Sequence, residues 1–344
     1  MGVLVLASLA TVGTTPSEAA GATRGRTTRS ARAAAAKRAT VYSAERSKSR
    51  KGKLARARAI ATAREMADTV LPRYKVDASG DLVPDVRAAA AIIYDPATNE
   101  SLWQENAQTQ RSIASITKVM TATVFLENNP DLTQPVTIVR SDVFQASTTH
   151  LHANDRVTTD DLLHLLLIAS DNAAARALAR VSPYGSDGFI RRMNDKSAEL
   201  GLESTHYADP SGLLSENVSS AYDMARLITH ASQDERISAI MRTNEYTVYS
   251  GGTRPITFRS TNHLLRGGDV DVRAGKTGFI SKAGYCLATV LRLPKSGQNV
   301  AVVVFGARSN AGRFMESRNL LNWVSSKATT IFAAKPTTVP QPQP

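Results

Sequence analysis

The sequence predicts an α+β fold, because strand patterns gather near both ends of its apolar part and helical patterns lie between them. A strict alternation of strands and helices, which would indicate a parallel sheet, is missing. The chain has 344 residues, of which 42% are apolar. This length suits one large domain or two modest ones, and the apolar content is enough for a buried core.

The predicted domain covers residues 86–326. It opens with an apolar strand over 88–94, a turn at 95–99 and a returning strand at 101–104. Helical patterns follow at about 112–126, 162–168, 187–200 and 221–232. Strand patterns return at 245–249, 256–259, 283–293 and 299–307, and a closing helix covers 313–325. Thr158 or Thr159 is the expected cap of the second helix.

The residues on either side of this domain have a different character. Residues 1–22 join a short apolar run to an Ala-Gly-Ala cleavage pattern, which predicts a secretory signal peptide. Residues 23–85 are predicted to be a basic, largely disordered arm, since they offer few large apolar side chains to bury. Residues 327–344 are predicted to be a Pro-rich tail. No stretch approaches about 20 apolar residues, so we expect an exported, periplasmic or cell-envelope protein that is soluble or peripherally attached.

The positive charge of the chain is concentrated in the arm. Between residues 23 and 64 there are 14 Lys and Arg against one acid, a formal charge of +13 in a chain whose total is +12. The rest of the chain is therefore close to neutral, at about −1, which argues against a nucleic-acid-binding protein. Anionic envelope polymers or a membrane surface are the partners that would suit the arm; the alternative is a solvated tether.

Metal and cofactor chemistry find little support in the sequence. Cys286 is the only cysteine, so no disulfide framework or multi-cysteine metal site is possible, and a core position is expected for it. His150 and His152 lie near Asp155, but without a third imidazole nearby they are expected to be solvated. We expect neither a metal nor a cofactor.

Three short motifs carry the chemistry. They are Ser115-Ile-Thr-Lys118, Ser170-Asp-Asn172 and Lys276-Thr-Gly278, in that order. The first motif alone means little, because about one such match is expected by chance in a chain of this length. Each of the other two is expected fewer than ~0.1 times. Together they form the set found in penicillin-binding proteins and serine β-lactamases.

The first motif predicts a nucleophile and its base. Residues three apart share a helix face, so the Lys118 amine can reach the Ser115 hydroxyl. Serine is a poor nucleophile unless a neighbouring base takes its proton. Lysine becomes that base only when burial or a nearby cation lowers its pKa. Burial is expected from the apolar neighbours Ile113, Ile116, Val119 and Met120. Lys276 is the expected second cation.

The other two motifs predict contacts with a substrate. Ser170 is interpreted as a proton relay and Asn172 as an amide that binds the substrate backbone; the alternative is a tight polar link between two helices. Lys276 and Thr277 are expected to meet a carboxylate or a carbonyl of a peptide added beside an edge strand. Gly278 would allow close backbone approach there.

The chain from about Val86 to Val324 resembles the low-molecular-mass penicillin-binding proteins, the D-alanyl-D-alanine carboxypeptidase and endopeptidase family. Besides the three motifs, residues 111–122, 206–213 and 219–225 are similar to segments of that family. The resemblance implies a penicillin-binding/serine β-lactamase-like fold, in which an antiparallel sheet flanked by helices meets a helical lobe at a catalytic groove. It also implies an oxyanion hole formed by the backbone N–H groups of Ser115 and Phe279.

Within that family, residues 260–265 and 276–287 look most similar to the endopeptidases that cut peptide cross-links. The resemblance implies a serine DD-peptidase that forms an acyl-enzyme, with peptidoglycan peptide stems as substrates and β-lactams as covalent inhibitors. The alternative is a carboxypeptidase that trims pentapeptide stems. A β-lactamase is disfavoured, because no E-x-x-L-N segment lies between Asn172 and Lys276.

Overall fold

The structure is a computed structural model that describes residues 52–57, 59–60, 63, 71–294 and 296–333. The described residues belong to two compact units, one within residues 1–61 and the other within residues 62–344. In the first unit, residues 52–57 and 59–60 are helical and exposed. The predicted signal peptide and most of the predicted arm lie outside the described residues, as does the end of the predicted tail.

The second unit contains thirteen strands and eight α-helices in its described residues. The strands are β1 (Tyr74–Val76), β2 (Leu82–Pro84), β3 (Ala90–Asp95), β4 (Glu100–Glu105), β5 (Arg111–Ser112), β6 (Pro135–Thr137), β7 (Arg156–Thr158), β8 (Val218–Ser219), β9 (Glu245–Ser250), β10 (Arg254–Arg259), β11 (Asp271–Ile280), β12 (Gly284–Arg292) and β13 (Asn299–Ala307). The helices are α1 (Lys118–Leu126), α2 (Arg140–Val143), α3 (Thr159–Leu167), α4 (Asn172–Val181), α5 (Gly185–Glu199), α6 (Ala221–Ser232), α7 (Glu235–Arg242) and α8 (Asn310–Ala333). Short 3-10 helices cover Ala114–Thr117 and His263–Arg266.

A five-stranded sheet organises this unit. Its spatial order is β11-β12-β13-β3-β4, and every neighbouring pair is antiparallel. The predicted α+β class is therefore confirmed, and most predicted strands and helices lie close to their expected positions. Strands β9 and β10 pair only with each other, as a separate hairpin. Helices α1, α3, α4, α5 and α7 share one core and form the helical lobe. The edge strand β11 carries the third motif and contacts α7 of this lobe.

The sheet separates two apolar cores. Successive side chains of a strand point to opposite faces, and β13 uses both. Ala301, Val303 and Phe305 join the core beneath the helical lobe and α6. Val300, Val302 and Val304 join the core beneath α8. Complete burial of one valine side chain contributes about 1.5–3 kcal/mol. The sheet is therefore a firm support for the edge strand β11.

Helices α3 and α4 position the second motif within the helical lobe. Thr158 caps α3 by accepting a hydrogen bond from the Asp161 amide at 3.1 Å, while the Asp161 carboxylate accepts from the Thr158 amide at 2.9 Å. This reciprocal pair is a capping box that fixes the start of α3. One of the two predicted caps, Thr158, is thus the observed one.

Both boundaries of the folded part differ from the predicted residues 86 and 326. Before Val86, β1 and β2 form a hairpin in which the Trp323 indole nitrogen donates to the Leu82 carbonyl at 3.3 Å and Arg73 pairs with Asp85. The sequence pattern missed this hairpin because its side chains are mostly exposed. At the other end, α8 continues to Ala333.

The extension of α8 has a packing cause. Ile331 and Phe332 are half-buried against the core beneath α8, so seven residues of the predicted tail belong to the helix. Among the described residues, no helix is long and apolar enough to span a bilayer.

Candidate active site

Ser115 lies in a strained turn at the start of the first long helix. The sequence predicts one continuous helix from 112, but β5 and a 3-10 helix precede α1. Ala114 has a φ of +49°, a left-handed conformation that few non-glycine residues adopt. Such strain costs about 1–3 kcal/mol and requires support from the surrounding structure.

Two glycines provide that support by close backbone contact. A Cβ atom on Gly212, whose φ is +79°, would lie 2.1 Å from the Ala114 carbonyl oxygen. A Cβ atom on Gly278 would lie 2.8 Å from the Ile113 carbonyl oxygen and 3.1 Å from the Ser115 backbone nitrogen. Only residues without a side chain fit on the two sides of this turn. The third motif thus contacts this turn directly, and we call the turn the nucleophile turn after the predicted role of Ser115.

Lys118 is fully buried and its amine lies among three oxygens. Its Nζ is 3.0 Å from the Ser115 Oγ, 2.6 Å from the Asn172 Oδ1 and 2.5 Å from the Ser211 carbonyl oxygen. A neutral amine has two N–H donors and one lone pair. It can donate to the Asn172 and Ser211 oxygens while it accepts the hydrogen of the Ser115 hydroxyl.

The surroundings of Lys118 favour this neutral form. Burial lowers the pKa of Lys118 to about 7, against the opposing effects of the carboxylates of Asp209 and Asp171; Arg176 lowers it further. An amine that titrates near neutral pH is well matched to general-base catalysis. Lys276 is the predicted second cation. The charge of Lys118 lowers the pKa of Lys276, so the two amines interact electrostatically.

The second motif forms the link between α3 and α4. Ser170 has a φ of +61°, and its Oγ accepts a hydrogen bond from the Lys276 Nζ at 2.8 Å. Asp171 is completely buried and caps α4 by accepting from the Ala174 amide at 3.0 Å. Its carboxylate also accepts from the His150 amide at 2.6 Å. The structure therefore agrees with both interpretations of the motif. It links two helices, and its Ser170 and Asn172 line the groove.

Asn172 has two hydrogen-bond partners within the protein. Its Oδ1 accepts from Lys118, and its Nδ2 donates to the Ala146 carbonyl at 2.7 Å. Both ends of this amide are therefore used within the protein, although the residue lines the groove. It therefore orients the Lys118 amine, and its contact with a substrate backbone stays a prediction.

The third motif places one lysine behind the groove and one threonine in it. Lys276 is only 1% exposed and donates to the Ser170 Oγ and, at 2.9 Å, to the Thr277 carbonyl. Burial, together with the charges of Lys118 and Arg313, holds the pKa of Lys276 well below its usual value. Thr277 lines the groove, and its hydroxyl donates to the Thr261 Oγ at 2.6 Å. Lys276 is thus less accessible to a substrate carboxylate than the sequence predicted.

Arg313 is the site residue that sequence reasoning missed. It belongs to α8, where the sequence indicated only the start of a closing helix, yet it lines the groove. Its Nη1 donates to the carbonyls of Gly278 and Cys286 at 3.0 and 3.1 Å, and its guanidinium lies 5.5 Å from the Tyr285 ring centroid. Burial lowers its pKa to about 10, so it stays charged at neutral pH. No local pattern brings α8 to β11, because only the folded sheet does so.

The groove lies between β11 and the helical lobe. Its lining consists of Ser115, Ser147, Thr148, Ala169, Ser170, Asn172, Leu213, Thr261, Thr277, Gly278, Phe279, Ile280, Ser281 and Arg313. Phe279 is 49% exposed, and its ring stacks on Tyr285 with centroids 4.3 Å apart. Arg313 and the half-buried Ser115 thus line one groove, and the fully buried Lys118 amine contacts Ser115 from within the protein.

The residues weighed for metal chemistry have other neighbours. The His150 Nδ1 lies 3.4 Å from a carboxylate oxygen of Asp171, and the His152 Nδ1 lies 3.7 Å from one of Asp155. Within the described ranges, no three His, Cys, Asp or Glu side chains come together as a metal site. Cys286 is buried, and burial raises the pKa of its thiol to about 11.

A serine hydroxyl next to a buried lysine amine, at the side of a groove, is the arrangement of the serine hydrolases that use lysine as base. Residues 77–309 match the family described as D-alanyl-D-alanine carboxypeptidase. The chain belongs to this family of serine DD-peptidases, and the family resemblance predicted from the motifs is confirmed.

Relatives of both predicted specificities are similar to this chain. It is 32% identical over 246 residues to the D-alanyl-D-alanine endopeptidase of Escherichia coli, and this alignment covers 71% of this chain and 79% of the relative. It is 31% identical over 260 residues to the D-alanyl-D-alanine carboxypeptidase of Streptomyces sp. strain K15, which covers 70% and 88%. The crystal structure of the Streptomyces K15 DD-transpeptidase superposes with a TM-score of 0.65 at 28% identity, over 70% of this chain and 97% of that one. The protein is therefore a hydrolase with the fold of the penicillin-binding DD-peptidases.

Proposed function

We propose that this protein is a D-alanyl-D-alanine endopeptidase that cuts peptide cross-links of peptidoglycan through an acyl-enzyme on Ser115. The observation that carries the proposal is the 3.0 Å contact between the Ser115 Oγ and the fully buried Lys118 Nζ at the groove. The two alignments at about 30% identity agree with it: relatives named as endopeptidases and as carboxypeptidases both match most of the domain.

The proposed acylation moves one proton in two steps. Lys118 takes the hydroxyl proton as the Ser115 Oγ attacks the carbonyl carbon of the D-alanyl residue. The backbone N–H groups of Ser115 and Phe279 stabilise the negative oxygen of the tetrahedral intermediate, an effect worth about 2.7–4 kcal/mol for one such donor. When the intermediate collapses, the peptide C–N bond breaks and the proton passes to the leaving amine. Ser170, held by Lys276, is the proposed relay.

Deacylation repeats the proton transfer with water. Lys118, neutral again, takes a proton from a water molecule that attacks the ester carbonyl, and the proton then returns to the Ser115 Oγ as the ester bond breaks. The described lining of the groove contains no Glu or Asp that could position a water as class A β-lactamases do. We therefore propose that β-lactams act as covalent inhibitors with slow release.

Arg313 provides the charge that a D,D-peptide would meet. The leaving residue of such a peptide carries a free carboxylate next to the scissile bond, and guanidinium is well suited to bind carboxylates. Arg313 lines the groove and stays charged at neutral pH, which supports this role. We assign substrate-carboxylate binding to Arg313 and Thr277, with Lys276 behind them.

Digestion of purified cross-linked peptidoglycan tests the proposal, with Ser115→Ala as the matched inactive control. An endopeptidase converts dimeric muropeptides to monomers, and chromatography with mass analysis reports their loss. Shortening of free pentapeptide stems with intact dimers would instead establish the carboxypeptidase alternative. Digestion by the Ser115→Ala variant would contradict the assignment of the nucleophile.

We further propose export to the periplasm or cell envelope, with residues 1–22 removed as a signal peptide and the basic arm attached to anionic polymers or a membrane surface. The charge of +13 between residues 23 and 64 supports this attachment. Amino-terminal sequencing of the protein recovered from an envelope fraction tests the export proposal. An uncleaved amino terminus in the cytoplasm would contradict it.

A further inference from the structure

A loop over residues 209–217 lies against the nucleophile and its base. The Ser211 carbonyl accepts a hydrogen bond from the Lys118 Nζ at 2.5 Å. The Pro210 carbonyl accepts from the Thr121 hydroxyl, on the next turn of α1, at 2.6 Å. Gly212, in the same loop, contacts the nucleophile turn. The position of this loop therefore fixes the position of the amine.

One carboxylate, that of Asp209, holds the loop together. Its Oδ1 accepts from the Ser211 amide at 2.5 Å, the Ser211 hydroxyl at 2.8 Å and the Gly212 amide at 2.6 Å. Its Oδ2 accepts from the Leu214 amide at 2.7 Å and the Asn217 Nδ2 at 3.1 Å. Five hydrogen bonds to one side chain exceed what a simple turn needs, and each bond to an ionised carboxylate is stronger than a neutral one.

Asp209 is ionised in the pH range in which Lys118 titrates. Burial alone would raise the pKa of Asp209, but hydrogen bonds from Leu214, Ser211 and Gly212 hold it below its ordinary value. The resulting negative charge favours the protonated form of Lys118 and opposes the effect of burial on the amine. A base must be neutral to accept a proton, yet a base whose pKa falls too far binds the proton weakly. A fixed carboxylate nearby balances these two needs.

We propose that Asp209 is a positioning residue for the proton transfer: it aims the Lys118 amine through the Ser211 carbonyl and keeps that amine a strong enough base. The inference rests on the proposed roles of Ser115 and Lys118. Asp209 itself touches neither the nucleophile nor the groove among the described contacts, so its effect is exerted through the loop and through its charge.

The test measures the rate constant of penicillin acylation from pH 5 to 9, by intact mass, in Asp209→Asn and the wild type. Loss of the negative charge lowers the pKa of Lys118. The midpoint of the rise in rate therefore moves to lower pH, by about 0.5 unit or more. The plateau rate also falls, because the amide NH2 group that replaces a carboxylate oxygen cannot accept the hydrogen bonds from Leu214 and Asn217, and the loop shifts. Asp209→Glu restores the charge, so its midpoint returns to within about 0.3 unit of the wild type, with a plateau about tenfold lower from the displaced loop.

Asp223→Asn is the matched control. Asp223 is a buried carboxylate, and it accepts from the Ser204 amide and the Thr205 hydroxyl at 2.8 Å each. It has no contact with the loop over residues 209–217 among the described bonds. This variant should lower Tm while its midpoint stays at the wild-type value.

The outcomes separate the inference from the function on which it rests. A wild type that penicillin labels at Ser115, with an Asp209→Asn midpoint equal to that of the wild type, overturns the inference alone. A wild type without labelling at Ser115 overturns the proposed function and the inference with it. If Asp209→Asn does not fold, Asp209→Glu decides: a wild-type plateau in that variant overturns the positioning role.

Discussion

Two fully buried lysines contact serines that line the groove, and their surroundings differ. Lys118 lies among three oxygen acceptors, with the carboxylates of Asp209 and Asp171 near enough to raise its pKa against burial. Lys276 contacts the Ser170 Oγ and one carbonyl, and its charged neighbours are the cations Lys118 and Arg313. Identical side chains thus receive different electrostatic environments from the fold.

The difference explains why only one of them suits the role of base. The Lys118 amine contacts Ser115, the proposed nucleophile, and its pKa of about 7 leaves it neutral for part of the time at physiological pH. Lys276 contacts no reacting atom and instead holds Ser170 in place. The charge of Lys118 also lowers the pKa of Lys276. Lys276 therefore acts on the groove through its contact with Ser170.

Exchange of each lysine for arginine should separate the two roles. Of all the variants, Lys118→Arg should lose the most acylation activity. Arginine stays protonated near neutral pH, so Lys118→Arg should lose about 10²- to 10⁴-fold in penicillin acylation while it keeps its fold. Lys276→Arg keeps a cation and its donors, and should lose about 10- to 100-fold, equivalent to one hydrogen bond to a charged group. Stopped-flow acylation with both variants measures the contrast. Equal losses would mean that Lys118 is not the base.

Gly212→Ala should displace the nucleophile turn next to Lys118. The added methyl group would overlap the Ala114 carbonyl oxygen, so we expect about a 10²-fold loss of acylation, typical of a misplacement near 1 Å. Gly251→Ala is the matched control, since Gly251 also has a positive φ, of 60°, but open space around its Cβ position. That control should lose stability without losing acylation. A normal rate in Gly212→Ala would show that the turn tolerates movement.

Arg313→Gln should affect binding more than proton transfer. We expect KM for soluble D,D-peptides with a free terminal carboxylate to rise about 10- to 100-fold, the equivalent of a lost charge-assisted hydrogen bond. KM for the corresponding peptide amides should change little. Steady-state kinetics with both substrates in both proteins measures the difference. An equal effect on acid and amide would place the carboxylate elsewhere in the groove.

Removal of residues 23–64 should have the smallest effect on the site. Folding and activity on small soluble substrates should be unchanged. The full-length protein should bind envelope fragments more strongly at low salt, and the two proteins should converge as salt shortens the Debye length to about 8 Å near 0.15 M. Sedimentation with envelope fragments at several salt concentrations measures this. A truncated protein that unfolds would show that the arm contributes to the folded unit.

Sequence reasoning found the parts of the site that local patterns encode. The pair Ser115 and Lys118 follows from helical spacing, and the edge strand of Lys276 follows from the glycines of its motif. Arg313 and Asp209 could not be found in this way, because their positions depend on contacts between elements far apart in the chain. The hairpin before Val86 was missed for a related reason: paired exposed strands leave no burial pattern.

The pH dependence of penicillin acylation tests the central claim most directly. Below about pH 7 the Lys118 amine is protonated and has no lone pair for the Ser115 proton. The rate constant should therefore be low at pH 5, rise through a midpoint near 7 and level off above it, with the label on Ser115 and absent from Ser115→Ala. A rate constant that stays unchanged from pH 5 to 9, or a label that persists in Ser115→Ala, would contradict the assignment of a neutral buried lysine as the base.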